Sequence, residues 1–223
     1  MKFQKKQGTK VLLLKCKNDL DIRVKRLNYL FDREILPNKN KKRVYKNAIC
    51  EGAISSLWQT WCFFCRSVVV NSIKGFTDDS GIQVTSPYSN LDEGQIISLS
   101  LKFCRGEKIP ANITSANGWV DLAWGDPMKL NKIINGAGMT NKENLLSSFG
   151  AINHLRSLQV SRNACSHISK YTINQMSDLK VFYNGNYTMH PCDVMFWIDP
   201  DTEQYLWKSW IDEMDIISSL AIN

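Results

Sequence analysis

The sequence predicts an all-α protein, a helical bundle with an irregular insertion around residues 106–125. Three observations carry that reading. Apolar residues recur at spacings of three and four over long stretches. Almost no stretch alternates with period two, as a half-buried strand would. Asn, Asp, Pro and Gly stand where helix caps and stops belong. The balance of 43% hydrophobic and 22% charged residues in 223 is that of an ordinary globular chain, which excludes disordered and collagen-like structure.

The first 17 residues read as a basic tail and residues 18–223 as a single helical domain. A helix is expected over 19–36, because Leu20, Val24, Leu27, Leu30 and Phe31 form one stripe, Asn18 can cap it and Pro37 follows its end. Residues 38–42 form a polar loop. The longest pattern runs over 44–75, where Ile49, Ala53, Leu57, Trp61, Phe64 and Val68 advance by three or four. Trp58, Phe63, Val69 and Val70 widen that stripe, so the helix is buried on more than one side. Gly75 is a suitable left-handed stop. A third helix is expected over 91–104, opened by Asn90 or Asp92 and closed near Gly106. Pro110, Gly118 and Gly125 then break the chain, and Trp119 and Trp124 suggest an insertion packed on the core. Asp126 followed by Pro127 reads as a cap and an N1 proline, opening a short helix to residue 134. Asn141 opens a stripe of Leu145, Leu146, Phe149, Ile152 and Leu155 that runs into 161–167. Helices over 171–183 and 202–220 follow, with irregular chain between them.

The formal charge of +7 is unevenly placed. Residues 1–46 hold 15 basic against 4 acidic residues, and the remainder 13 against 17. Lys39, Lys41, Lys42, Arg43 and Lys46 form the densest run. Such a run attracts a phosphate backbone through counterion release, without reading sequence. A solvated face or an acidic partner protein accounts for it equally well. No stretch reaches the roughly 18–20 apolar residues of a membrane span. The apolar run 11–14 is also short of the about 7–15 residues of a signal-peptide core. The seven cysteines are therefore expected as reduced thiols of a cytoplasmic protein.

Within 161–167, Arg162, Asn163 and His167 stand together. They are the residue types that metal-free RNA cleavage needs. Histidine titrates near neutrality and can move a proton to or from the reacting oxygens. Arginine stays charged and forks onto phosphate oxygens, where it stabilises the phosphorane. Asparagine can fix a phosphate oxygen or an imidazole tautomer. On an ideal helix Asn163 and His167 share a face, whereas Arg162 and His167 stand about 140° apart, so the helix must begin or distort there, or Arg162 must reach round.

Arg162-Asn163 followed by His167 resembles the Arg-Asn-x-x-x-His signature of HEPN-domain ribonucleases. The likeness covers roughly residues 143–170, and the rest agrees in helical class. It implies a HEPN-type bundle with the motif on a late helix, after an apolar helix such as 143–160. It also implies a homodimer whose two Arg-His pairs face one composite cleft. The reaction implied is 2′-OH transesterification of RNA (tRNA or mRNA) without a metal or cofactor. Such proteins commonly serve toxin–antitoxin or anti-phage systems, so an antitoxin or sensor protein is an implied partner. Family members often carry a tyrosine close behind the histidine; Tyr171 is displaced and is assigned no such role.

Glu51, on the long helix among apolar neighbours, resembles a supporting residue of that site with Arg162 as its natural partner. A carboxylate on the polar edge of the helix is an equal reading. Cys62 and Cys65 form a CxxC inside an apolar stripe and read as core cysteines rather than half a zinc site. His154 with Arg156 reads as helix surface, and His190 to Cys192 as a loop. Two functions of different class remain: an endoribonuclease, and a helical module that binds RNA or a protein without cutting.

Overall fold

The structure is a computed structural model describing residues 10–39, 43–77, 81–116, 122–185 and 190–222. The fold is all-α. Among the described residues, regular structure is helical apart from one short antiparallel hairpin and two isolated bridges. The helices are α1 (Lys10–Leu30), α2 (Arg43–Lys74), α3 (Glu93–Arg105), α4 (Pro127–Ala137), α5 (Lys142–Gly150), α6 (His154–Ser166), α7 (Lys170–Leu179) and α8 (Leu206–Ile222). The hairpin pairs β1 (Phe76–Thr77) with β2 (Gln83–Val84). Where the sequence suggested one domain over 18–223, the chain divides into two compact units, one from residues 1–19, 62–151 and 218–223, the other from 20–61 and 152–217.

In the first unit α3 packs on α4 and α4 on α5. Phe64, Val68, Ile96, Leu99, Trp124, Leu130, Ile133 and Leu145 are buried there. Asp92, not Asn90, caps α3: its carboxylate accepts the Gln95 N–H at 2.8 Å, and the Gln95 side chain accepts the Asp92 N–H at 2.9 Å. Gly106 closes α3 with φ 68°. Asp126 caps α4, with Pro127 at its first position. Cys65 is fully buried, and the Cys62 sulfur accepts the Gly125 N–H at 3.2 Å. Cys65 is a core cysteine and Cys62 is half-buried at the core's edge, and all seven cysteines are free thiols. The described parts of the insertion hold no helix, and Trp119 lies outside the described residues.

The second unit carries the motif. Its core includes Phe31, Ile54, Leu57, Leu155, Leu158, Val194, Trp207 and Trp210, with the Phe31 and Trp207 rings stacked at 5.3 Å. α6 packs against α7 and against a 3-10 turn, Pro191–Phe196, within the segment expected to be irregular.

Several boundaries differ from expectation. α7 ends at Leu179 rather than at residue 183, and α8 starts at Leu206 rather than at residue 202. α1 starts at Lys10, so residues 10–17 are helix rather than tail, and Asn18 lies inside it. Leu13 is buried, which anchors that lysine-rich start. The helix then widens to a π-turn over Phe31–Ile35 before Pro37. The stripe expected to run unbroken from Asn141 is cut at residues 151–153. The cause is distant in sequence: the buried Glu213 carboxylate accepts the N–H groups of Asn153, His154 and Leu155 at 2.7, 3.0 and 2.6 Å, satisfying the free donors of a new helix start.

Candidate functional site

Arg162 and Asn163 sit in the last turns of α6. The Arg162 guanidinium donates through Nη1 to Asn163 Oδ1 at 3.3 Å. Its Nε is buried without a hydrogen-bond partner. Backbone geometry places His167 just past the helix. Its N–H still bonds to Asn163 O at 2.9 Å, but its φ of −140° and ψ of 79° leave the helical path. The reason is local. Ser169 caps α7, and the Thr172 hydroxyl donates to His167 O at 2.8 Å, so the chain turns at once into the next helix. The 140° separation expected for an ideal helix therefore does not apply, because the helix ends between the two residues. The His167 side chain is exposed. Tyr171 is exposed and its hydroxyl accepts from Gln175 at 3.1 Å.

Glu51 is not with Arg162. Its Oε1 lies 3.1 Å from His190 Nε2, which corrects the partner expected from the sequence. His190 in turn caps the 3-10 turn. Its N–H donates to Asp193 Oδ2 at 3.0 Å, and its Nδ1 lies 3.4 Å from the Cys192 N–H and 3.2 Å from the Cys192 sulfur. Lys46 bonds Asp193 Oδ1 at 2.6 Å. The sequence signal for this network is the x-Pro-x-Asp pattern at 190–193, a cap with proline at N1, together with polar residues Lys46, Asn47 and Glu51 along one edge of an apolar helix.

Thiols border the same network. The Cys192 thiol donates to Asn47 Oδ1 at 3.8 Å. Interaction with Cys192, helped by the charge of Lys46, holds Cys50 below its ordinary value, and the same interaction together with burial holds Cys192 above its own. Cys165 is pushed up to about 12, by burial first and by the Glu51 carboxylate second. Glu51, His190 and Cys192 thus follow one another as carboxylate, imidazole and thiol. Cys192 is fully buried and its thiol is held protonated, so it is not an exposed nucleophile.

Of the basic run, Lys39 donates to the Tyr205 hydroxyl at 3.3 Å and sits over that ring. Lys46 has its charge met by Asp193 and holds the turn rather than standing ready for a phosphate. Arg43 is exposed at the start of α2, and Lys41 and Lys42 lie outside the described residues.

A cavity of about 480 Å³ lies along the first half of α6 and the second half of α7. His154, expected on the surface, is half-buried in its wall, with Nδ1 3.2 Å from the Tyr183 hydroxyl and Nε2 3.6 Å from Asp199 Oδ2. The Ser209 hydroxyl and Asp201 N–H occupy the Asp199 oxygens, which makes this a rigid wall. The cavity lining does not include Arg162 or His167. Among the described residues, no group of three or more His, Cys, Asp or Glu is arranged to hold a metal ion, and no helix is long and apolar enough to cross a membrane. Compared with models of protein families, with characterised proteins and with solved structures, the chain matches none.

Proposed function

We propose that the chain is a metal-independent endoribonuclease of HEPN type, cutting single-stranded RNA or tRNA loops by 2′-OH transesterification. The observation that carries the reading is the arginine. A guanidinium whose Nε is buried without a hydrogen-bond partner donates through Nη1 to Asn163, and an exposed histidine stands at the first position past the end of the same helix; a phosphate oxygen is the acceptor such a guanidinium suits. Arg162 takes the charge of the phosphorane, Asn163 fixes Arg162, and His167 moves a proton at the reacting oxygens. Products are a 2′,3′-cyclic phosphate and a 5′-hydroxyl. Two copies of the chain, RNA, and an antitoxin or sensor protein are the partners that the motif's resemblance implies, and an anti-phage or toxin role would follow.

A second reading has an observation of its own. Ile168, Tyr171, Val181 and Phe182 expose large apolar surfaces directly after the motif, which suits a protein-binding module that does not cut. The test is end-labelled RNA incubated with protein in EDTA, beside His167→Ala. Cleavage by the wild type alone, leaving cyclic phosphate ends, supports the nuclease. A folded wild type that leaves RNA intact favours the binding module.

A further inference from the structure

The cavity of about 480 Å³ between α6 and α7 lies wholly within the second unit. We propose that it binds a basic amino acid, a small zwitterion whose side chain carries a second positive charge on an aliphatic stem. The site is independent of the motif. Its lining holds neither Arg162 nor His167, and Arg162, two residues after Val160, is about 200° further round α6.

Helical spacing builds the two sides. Arg156, Ser157 and Val160 share one face of α6, and Gln175, Asp178 and Leu179 share one face of α7. The chain then turns back, with the Phe182 N–H bonded to Leu179 O at 3.0 Å, and leaves the Phe182 ring 67% exposed at the cavity. The remaining wall is polar and already satisfied. His154 meets the Tyr183 hydroxyl at 3.2 Å, and the buried Asp199 carboxylate accepts the Ser209 hydroxyl at 2.7 Å and the Asp201 N–H at 3.1 Å. These bonds fix the shape of the cavity and hold the backbone of Asp201 at its rim. The volume lies within the about 300–1,000 Å³ of small-molecule sites.

Three unpaired charges and an apolar strip remain for a ligand. Among the described residues, the Asp178 and Asp201 carboxylates and the Arg156 guanidinium make no hydrogen bond or ion pair. Val160, Leu179 and Phe182 supply the apolar strip. Asp178 stands in the last turn of α7, which has no basic residue. The helix dipole favours a cation there, so a carboxylate at that place adds to a field that an incoming positive charge relieves. Two carboxylates and one guanidinium complement two ammonium groups and one carboxylate, the charges of lysine. Its aliphatic stem suits the apolar strip, and an aromatic ring can take an ammonium over its face.

Radiolabelled L-lysine is dialysed to equilibrium against the full chain. The competitors are cadaverine, which lacks the carboxylate, and L-norleucine, which lacks the side-chain ammonium. One lysine per chain is expected to bind, and each competitor about tenfold more weakly. Asp178→Asn and Asp201→Asn should each weaken lysine about tenfold. Arg156→Gln should weaken lysine to the level of cadaverine and leave cadaverine unchanged. All three side chains are exposed and unpaired, so melting temperatures should match wild type, and lost affinity then reports the contact rather than the fold. Glu143→Gln, at an exposed acid of the other unit, should change nothing. Lysine that fails to saturate the chain below about 10 mM overturns the site. So does an equal loss of affinity in Glu143→Gln, which would mean diffuse attraction to surface acids. Norleucine binding as tightly as lysine overturns the need for a second positive charge, and cadaverine binding as tightly overturns the amino-acid class.

Discussion

At the scale of single residues, the motif and its support differ in what their loss should do. His167 is exposed past the end of α6, and its backbone makes the helix-ending contacts. His167→Ala should therefore leave the melting temperature within a few degrees of wild type, and under the proposed ribonuclease reading it should abolish cleavage. Arg162→Lys keeps the charge and loses the planar fork, so it should cost about 10²–10³-fold in rate, measured on the same RNA under saturating conditions. Asp199 carries a pH signature. Burial raises its pKa, but the Ser209 hydroxyl, the Asp201 N–H and the His154 ring outweigh that and hold it below the ordinary carboxylate range. A depressed folded pKa stabilises the fold above the unfolded value of about 4. That stabilisation is lost as pH falls through the folded value. Urea unfolding from about pH 6 down to about pH 2.5 should show a shallower acid loss in Asp199→Asn than in wild type.

At the scale of elements, two helix ends depend on single residues. Glu213 on α8 accepts three N–H groups at the start of α6. Glu213→Ala leaves those donors unmet, the Leu155 N–H among them buried, and should cost about 2–4 kcal/mol by denaturant unfolding, with Glu213→Gln losing less. Since α6 carries Arg162, Asn163 and the entry to His167, cleavage should fall with it. Gly75 ends α2 with φ 79°, and a Cβ there would lie 2.9 Å from Val84 O. Gly75→Ala is therefore doubly strained and should destabilise by about 1–3 kcal/mol, read from the same unfolding curves.

At the scale of the whole molecule, charge is the property with a measurable consequence. The net +11 of residues 1–46 sits on a chain that is otherwise acidic. RNA binding should weaken as salt rises, and replacing Lys41, Lys42 and Arg43 by Gln should flatten the log–log slope by up to about 2. Binding titrations at several salt concentrations read this directly, and an unchanged slope would assign the basic run another purpose. Lys39 and Lys46 should contribute less to the slope, since each already has a protein partner.

What the sequence determined by itself is what short-range periodicity and caps encode. The all-α class, the span of α2 with its stop at Gly75, the Asp92 and Asp126 caps and the core role of Cys65 were all legible there. So was the motif at Arg162, Asn163 and His167, as a pattern of chemistry. Tertiary structure decided the rest, because the deciding contacts join residues far apart in the chain. Periodicity carried the stripe straight through 151–153, and only Glu213, about sixty residues away, cuts it. Residues 10–17 read as a tail until burial of Leu13 made them the first turns of a helix. Glu51 was legible as a carboxylate needing a partner, but its partner is His190, brought to it by a 3-10 turn whose cap could be read and whose position could not. Local pattern encodes which residues can form an element and end it. Which side chains meet is set by packing, and packing is not written in any short stretch of chain.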